Sequence, residues 1–185
     1  MAGRKSLETI ITHLEMTAPP KGRAHLPLNV KAALMRAETI PLHFYRYLMY
    51  RTGKPWNWVY RLRMTDADLA AIVHAPTTDI DVLYLDGAPA GFFEIDRSRE
   101  GVSDLAYFGL MGHAIGRGVG RWFLREAVDS AWRSDPHKVT VNTCTLDHPA
   151  AIGLYQKLGF VPVGRGEASI RPLTDKELVH LARLD

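Results

Sequence analysis

Four glycines follow Met111 in the stretch Leu105–Leu124, L-A-Y-F-G-L-M-G-H-A-I-G-R-G-V-G-R-W-F-L: Gly112, Gly116, Gly118 and Gly120. An apolar, aromatic run precedes them and suits a buried strand. An amphipathic stretch, Arg121–Trp132, follows and reads as a helix. Strand, glycine loop and helix in that order can hold phosphate. Residues without side chains let the backbone curl so that several N–H groups point inward, and the first helical turn adds its unpaired N–H groups and the positive end of its dipole.

Three phosphate-binding patterns compete for these glycines. The G-x-x-x-x-G-K-[ST] loop fails, because no Lys-Ser or Lys-Thr follows. The dinucleotide fingerprint G-x-G-x-x-G belongs to the first βαβ unit of a domain, with an acid on the next strand. Here the spacing is G-x-G-x-G, the loop lies past the middle of the chain, and Asp135 ends a helix. The third pattern, Q/R-x-x-G-x-G/A, takes the pyrophosphate of an acyl-coenzyme A, and I-G-R-G-V-G at Ile115–Gly120 matches its two glycines. A ligand-free glycine turn would look the same on this stretch alone.

A second stretch narrows the choice. Pro149–Phe160 reads P-A-A-I-G-L-Y-Q-K-L-G-F. Taken with the glycine loop it resembles the GNAT acetyltransferase superfamily, whose later helix has the form N-x-x-A-x-x-L-Y-x-K-x-G-F. Ala151, Leu154, Tyr155, Lys157, Gly159 and Phe160 match that form, and the resemblance covers roughly Asp79–Val163. It implies acetyl-CoA as co-substrate. Leu110 and Met111 would offer a backbone edge to the pantetheine arm. Ile115, Gly116, Arg117, Gly118, Val119, Gly120 and Arg121 would hold the pyrophosphate. Ile115 stands where the pattern has Gln or Arg, so Arg117 or Arg121 would supply the missing cation. His148 stands where the pattern has Asn, and either positions the cofactor loop as a helix N-cap or serves as a base.

Acetyl transfer to an amine needs a base, because a protonated amine has no lone pair to attack with. It also needs donors for the oxyanion and an acid for the leaving thiolate. Tyr155 matches the superfamily tyrosine near the CoA sulfur and is the expected acid; a packing tyrosine is the plain alternative. Glu94, in the apolar strand G-F-F-E-I, is the expected base, against a structural ion pair such as one with Arg97. Asp104 and Tyr107 are further candidates on the next strand. Trp56 and Trp58, with Tyr107, are expected on the acceptor side; the tryptophans alternate about Asn57 and could face opposite ways or simply pack a helix on the sheet. Cys144 reads as a buried small hydrophobe; an acetyl-cysteine route would need a paired histidine.

The expected function is an acetyl-CoA-dependent N-acetyltransferase, an acyltransferase acting by direct attack of a primary amine of a small molecule or peptide. The alternative is a non-catalytic acyl-CoA-binding sensor of the same fold. The 185 residues suit a single domain, with acyl-CoA motifs over about 105–160 and an acceptor-side region over about 29–75. Hydrophobic content of 46% and charged content of 23% are those of a globular protein. A net charge of +3 without a basic run does not indicate nucleic acid. One cysteine excludes a disulfide framework and a cysteine-rich metal site. The start of the chain, with Arg4, Lys5 and Glu8, lacks an apolar signal region, and no stretch would span a bilayer, so a cytoplasmic protein without membrane partners is expected. Monomer and homodimer stay open.

These residues must be positioned by a mixed α/β sheet: an antiparallel meander, then β-α-β-α-β, flanked by helices, with an extra aromatic-rich helical region toward the N-terminus. A strand is expected over Ser6–Met16, a short helix over Asn29–Ala37, and a helix after Pro41 broken at Gly53-Lys54-Pro55. Thr65 caps a helix through His74. Asp81–Leu85, Pro89–Asp96 and Asp104–Met111 form the meander, with Asp86-Gly87 as a hairpin turn. Lys138–Leu146 is a strand, Pro149 starts the Tyr155 helix and Gly159 closes it. Two short strands, Phe160–Val163 and Ala168–Arg171, and a Thr174–Glu177 capping box complete the order.

Overall fold

The computed structural model describes residues 5–182; Arg4 lies outside them. Seven strands form one sheet: β1 Leu7–Met16, β2 Ala32–Arg36, β3 Thr78–Leu85, β4 Ala88–Asp96, β5 Val102–Leu110, β6 Lys138–Cys144 and β7 Val161–Ile170. Their spatial order is β2-β3-β4-β5-β6-β1-β7. Every pairing is antiparallel except β5 with β6. The helices are α1 Leu42–Gly53, α2 Asp66–Val73, α3 Gly120–Trp132, α4 Ala151–Leu158 and α5 Asp175–Leu181.

The strand pattern puts a core on each side of this sheet. In β4, Phe92 packs with Tyr45, Leu48 and Met49 of α1, while its neighbour Phe93 packs with Phe123 and Leu124 of α3. Successive side chains of a strand point to opposite faces, so a strand covered on both sides reads as continuously apolar. By the same alternation Glu94 shares the face of Phe92, beneath α1. Helix α1 buries Tyr45, Leu48, Met49 and Thr52, an i, i+3, i+4, i+7 stripe. Phe44 and Tyr47 stack outside that stripe, with ring centroids 6.1 Å apart.

Local signals hold at most element ends. Asp86 and Gly87 take positive φ in the β3–β4 turn. Thr65 accepts a hydrogen bond from Asp68 N–H, and Thr174 with Glu177 forms a full capping box. Two expectations fail. The helix expected over 29–37 is strand β2, paired from Ala32↔Leu85 to Arg36↔Asp81. Helix propensity is a weak preference, and the open backbone edge of β3 supplies partners that override it. The two short final strands are one strand, β7, because Gly164 and Gly166 pair across to β1 at His13 and Ile11. The aromatic-rich segment is not a unit appended to the sheet. It lies between β2 and β3 and forms α1, two 3-10 turns at Lys54–Trp56 and Arg61–Arg63, and α2.

Phe123 is fully buried, with its ring centroid 5.0 Å from that of Phe108 and 5.7 Å from that of Phe93. Phe123→Ala is expected to cost about 3–5 kcal/mol of unfolding free energy in a denaturant titration, since the cavity cannot refill in a core packed from both sides.

Candidate active site

The parallel ladder between β5 and β6 is short. It runs from Val102↔Lys138 to Leu105↔Val141 and stops. At that point the register of β5 against β4 shifts: Ile95 faces Leu105 and Glu94 faces Tyr107, leaving Ala106 as the extra residue of a bulge. A bulge bends its strand and raises its twist. Beyond it β5 stays with β4 while β6 follows β1, so the two parallel strands part.

A cavity of about 720 Å³ fills the parting. Its lining includes Phe108 and Tyr155 from the α3 face and Trp58, Tyr107 and Ile170 from the α1 face, so it reaches through the sheet. At one end lie Ala114, Ile115, Gly116, Gly118, Gly120 and Arg121. Gly116 has φ 84° and Gly118 φ 77°, left-handed conformations that strain any residue with a Cβ. The start of α3 and this loop thus present main-chain groups to the cavity, where the helix N-terminus favours an anion.

The glycine-loop residues divide by side-chain role. Ile115 is 42% exposed at the mouth, whereas Val119 is fully buried and seats the loop in the core. Arg121 lines the cavity and has no ion-pair partner among the described residues. Arg117 does not line it; its guanidinium pairs with Asp86 at 2.8 Å. Leu110 lines the cavity, but Met111 does not. The Met111 N–H donates to Ala90 O at 2.8 Å and its carbonyl accepts from Ala114 N–H at 2.9 Å, so its main chain is committed within the protein.

Tyr155 lines the cavity with 6% of its surface exposed, its ring packed edge-on against Phe108 and Phe160. No hydrogen bond within the described residues engages its hydroxyl. Burial, and after it the charge of Asp147, pushes the phenol well up, so it stays protonated at neutral pH. His148 also lines the cavity; its Nδ1 accepts from Ala150 N–H at 3.1 Å, and its ring lies 5.2 Å from that of Trp56.

Trp56, Trp58 and Tyr107 line the other end together. The tryptophans do not face opposite ways, because the segment is a 3-10 turn followed by Asn57 at φ 57°, and strand alternation does not apply. Trp58 is held on every side. A Cβ on Gly53 would lie 2.4 Å from the Trp58 Cβ, and one on Gly109 would lie 3.0 Å from its Cη2. Its Nε1 donates to Asp147 Oδ1 at 3.1 Å, and its ring meets that of Tyr107 at 5.3 Å.

Glu94 is not at the cavity. It is fully buried, accepts a hydrogen bond from Tyr45 Oη at 2.5 Å and pairs with Arg61 at 2.7 Å. Its ion-pair partner is Arg61 rather than Arg97, which binds Asp79 and Ser130. Arg61 in turn lies 5.6 Å over the Tyr107 ring. Burial pushes the Tyr107 phenol up to about 12. Asp104 sits at the far end of β5 and accepts from Thr140 Oγ1, outside the cavity lining. Cys144 is half-buried and lines the cavity rather than packing in the core, and no histidine bonds to it.

Sequence reasoning missed Asp147. It lines the cavity at the end of β6, and its Oδ2 accepts from Thr143 Oγ1 and Cys144 N–H, both at 2.9 Å. Tyr60, the last residue of the aromatic stretch Pro55–Tyr60, lies at the rim, 58% exposed. The only signal for Asp147 was its place immediately before His148 and the α4 motif. Among the described residues, no group of three or more His, Cys, Asp or Glu is placed to hold a metal ion, and no helix is long and apolar enough to cross a membrane.

With this geometry the comparisons agree. The model of the Acetyltransferase (GNAT) family matches residues 43–160, more than half of the chain, and the protein belongs to that family. Its fold is similar to that of the ribosomal-protein-S18-alanine N-acetyltransferase from Escherichia coli, at 14% identity over 79% of this chain and 97% of that one, with TM-score 0.57. An aminoglycoside N-acetyltransferase solved in complex with CoA aligns at 18% identity over 77% and 95% of the two chains, TM-score 0.54. IAA acetyltransferase from Bacillus cereus aligns at 21% identity over 72% and 79%, TM-score 0.54. The chain spans 64% of a functionally unknown conserved protein from Staphylococcus epidermidis and 57% of a tandem GNAT protein from the clavulanic acid biosynthesis pathway. No curated protein sequence matches it. At these identities the likeness is one of fold.

The two loop arginines are separable by experiment. Arg121→Ala is expected to weaken CoA binding roughly tenfold, the loss of one charge-assisted contact, whereas Arg117→Ala should leave it within about twofold. Isothermal titration of CoA into each variant checks this.

Proposed function

We propose that this protein is an acetyl-CoA-dependent N-acetyltransferase that moves the acetyl group to a primary amine by direct attack. The observation that carries the reading is the Tyr155 phenol, held protonated by burial and without a hydrogen bond among the described residues, in a cavity also lined by the glycine loop and by the aromatic wall.

The residues present fit the co-substrate. Gly116, Gly118, Gly120 and Arg121 would take the pyrophosphate, with the backbone of Ile115, Arg117 and Val119 completing the loop. Leu110 and the β5 backbone past the bulge would border the pantetheine arm, and His148 holds the start of α4 against it. Acetyl-CoA supplies the activated acyl group. The neutral amine attacks the thioester carbonyl carbon; the C–N bond forms and the C–S bond breaks. Main-chain groups on the free edge of β5 are available to the oxyanion. Tyr155 gives its proton to the departing sulfur, and the proton lost by the amine nitrogen returns through water to the phenolate. Met111 drops out of the cofactor contacts, because its main chain is already bonded. Glu94 acts as a positioning residue: it anchors Arg61, which in turn backs the Tyr107 ring.

A thiol-release assay with acetyl-CoA and a panel of primary amines tests the reading. Turnover with at least one amine is expected. Tight CoA binding without release on any acceptor would point instead to the sensor. Tyr155→Phe is expected to lower kcat about a hundredfold with unchanged CoA affinity, within the usual worth of a positioned acid; unchanged kcat would remove Tyr155 from that role.

A further inference from the structure

The acceptor end of the cavity is built for one positive charge. Its walls are Trp56, Trp58 and Tyr60 from the segment after α1, Tyr107 from β5, and Ile170 from β7. Among the described residues, Asp147 is the only carboxylate in the lining of the cavity. The one arginine there, Arg121, belongs to the glycine-loop end, at the start of α3. Behind the Tyr107 wall, Glu94 is paired with Arg61 at 2.7 Å.

Asp147 is also fixed. Trp58 Nε1, Thr143 Oγ1 and Cys144 N–H donate to its two oxygens at 3.1, 2.9 and 2.9 Å. Three donors fix the orientation of the carboxylate in a largely apolar cleft. Asp147 and Tyr155 line the same cavity, so a cation drawn to the carboxylate enters the space that the phenol borders. Indole and phenol faces around it attract a cation and accept apolar bulk.

We infer that the acceptor is a primary amine carrying a single positive charge and an aromatic or branched apolar body, its ammonium steered by Asp147 and its body seated between Trp56, Tyr60 and Ile170. This rests on the acetyltransferase reading above. A polyamine or an aminoglycoside would bring further ammonium groups against indole and isoleucine with no second carboxylate to meet them, which a low-dielectric wall penalises heavily. An amino acid would bring its own carboxylate toward Asp147, while Arg121, the arginine of the described lining, is taken up at the glycine loop. Asp147 is therefore a specificity residue. On reaching it the ammonium sheds one proton to water, and the neutral nitrogen then attacks as described.

The test compares 2-phenylethylamine and 3-methylbutylamine with spermidine, kanamycin and glycine under saturating acetyl-CoA. The apolar monoamines are expected to have kcat/KM at least a hundredfold higher. Asp147→Asn is expected to raise KM for 2-phenylethylamine at least tenfold while KM for acetyl-CoA stays unchanged, and Asp147→Glu to recover part of the loss. Tyr60→Ala, at an exposed rim position that leaves the core intact, should raise KM for the aromatic amine severalfold. Preference for spermidine, kanamycin or glycine, or variants with unchanged amine KM, would overturn the inference. If no amine is acetylated, calorimetry of 2-phenylethylamine against the CoA-loaded protein separates the two readings. Binding that is lost in Asp147→Asn upholds the acceptor site while the catalytic reading fails; no binding removes both.

Discussion

The site depends on a ladder of hydrogen bonds that ends early. Strands β5 and β6 pair only as far as Leu105↔Val141. A parallel pair left zipped to its end would bury its main-chain groups in each other and leave no room between. The Ala106 bulge bends β5 toward β4, and the paired strand β1 draws β6 the other way. The cavity is the space between two strands that each have a better partner on the outer side. Because the gap passes through the sheet, its lining draws on both cores, with Tyr155 and Phe108 from one side and Trp58 and Tyr107 from the other.

Around that gap, tight contacts on small residues set the wall. Trp58 is seated by the missing side chains of Gly53 and Gly109 and tied by its indole N–H to Asp147. Asp147 in turn holds the end of β6 through Thr143 and Cys144. One carboxylate thus joins the segment after α1 to the segment before α4, which are far apart in the chain. The buried group of Tyr45, Glu94 and Arg61 performs a similar task one layer deeper, fixing the floor under Tyr107. Buried charges of this kind persist only when paired and hydrogen-bonded, which explains why a glutamate tolerates the middle of an apolar strand.

The legible parts of the site were those encoded within a few neighbouring residues. Gly116 and Gly118 announce left-handed backbone wherever they fall, and the Ala151–Phe160 pattern places Tyr155 on an amphipathic helix that closes at Gly159. Glu94 was misplaced for a definite reason. Its strand neighbours are all apolar, so period-2 alternation could not say which face is the cleft, and the bulge that shifts the pairing is invisible without the partner strand. Asp147 carried no local pattern beyond its place before the α4 motif. Its importance comes from Trp58, eighty-nine residues away in the chain. Trp56 and Trp58 both reach the cavity because a 3-10 turn and a left-handed Asn57 stand between them, a geometry that their spacing left open.

Sequence by itself determined the glycine loop, the helix that carries the phenol, most turns and caps, and the membership of a known superfamily. Each of these is a matter of backbone permissiveness or helical spacing over short range. Only the tertiary structure decided where the first strand goes. Nothing in Leu7–Met16 foretells its insertion between β6 and β7, because strand pairing is satisfied by any open edge and the winner is set by the whole sheet. Pairing over long range also made Ala-Ala-Leu-Met-Arg an edge strand on β3 at the opposite side of the sheet, and it set Asp147 against the indole of Trp58.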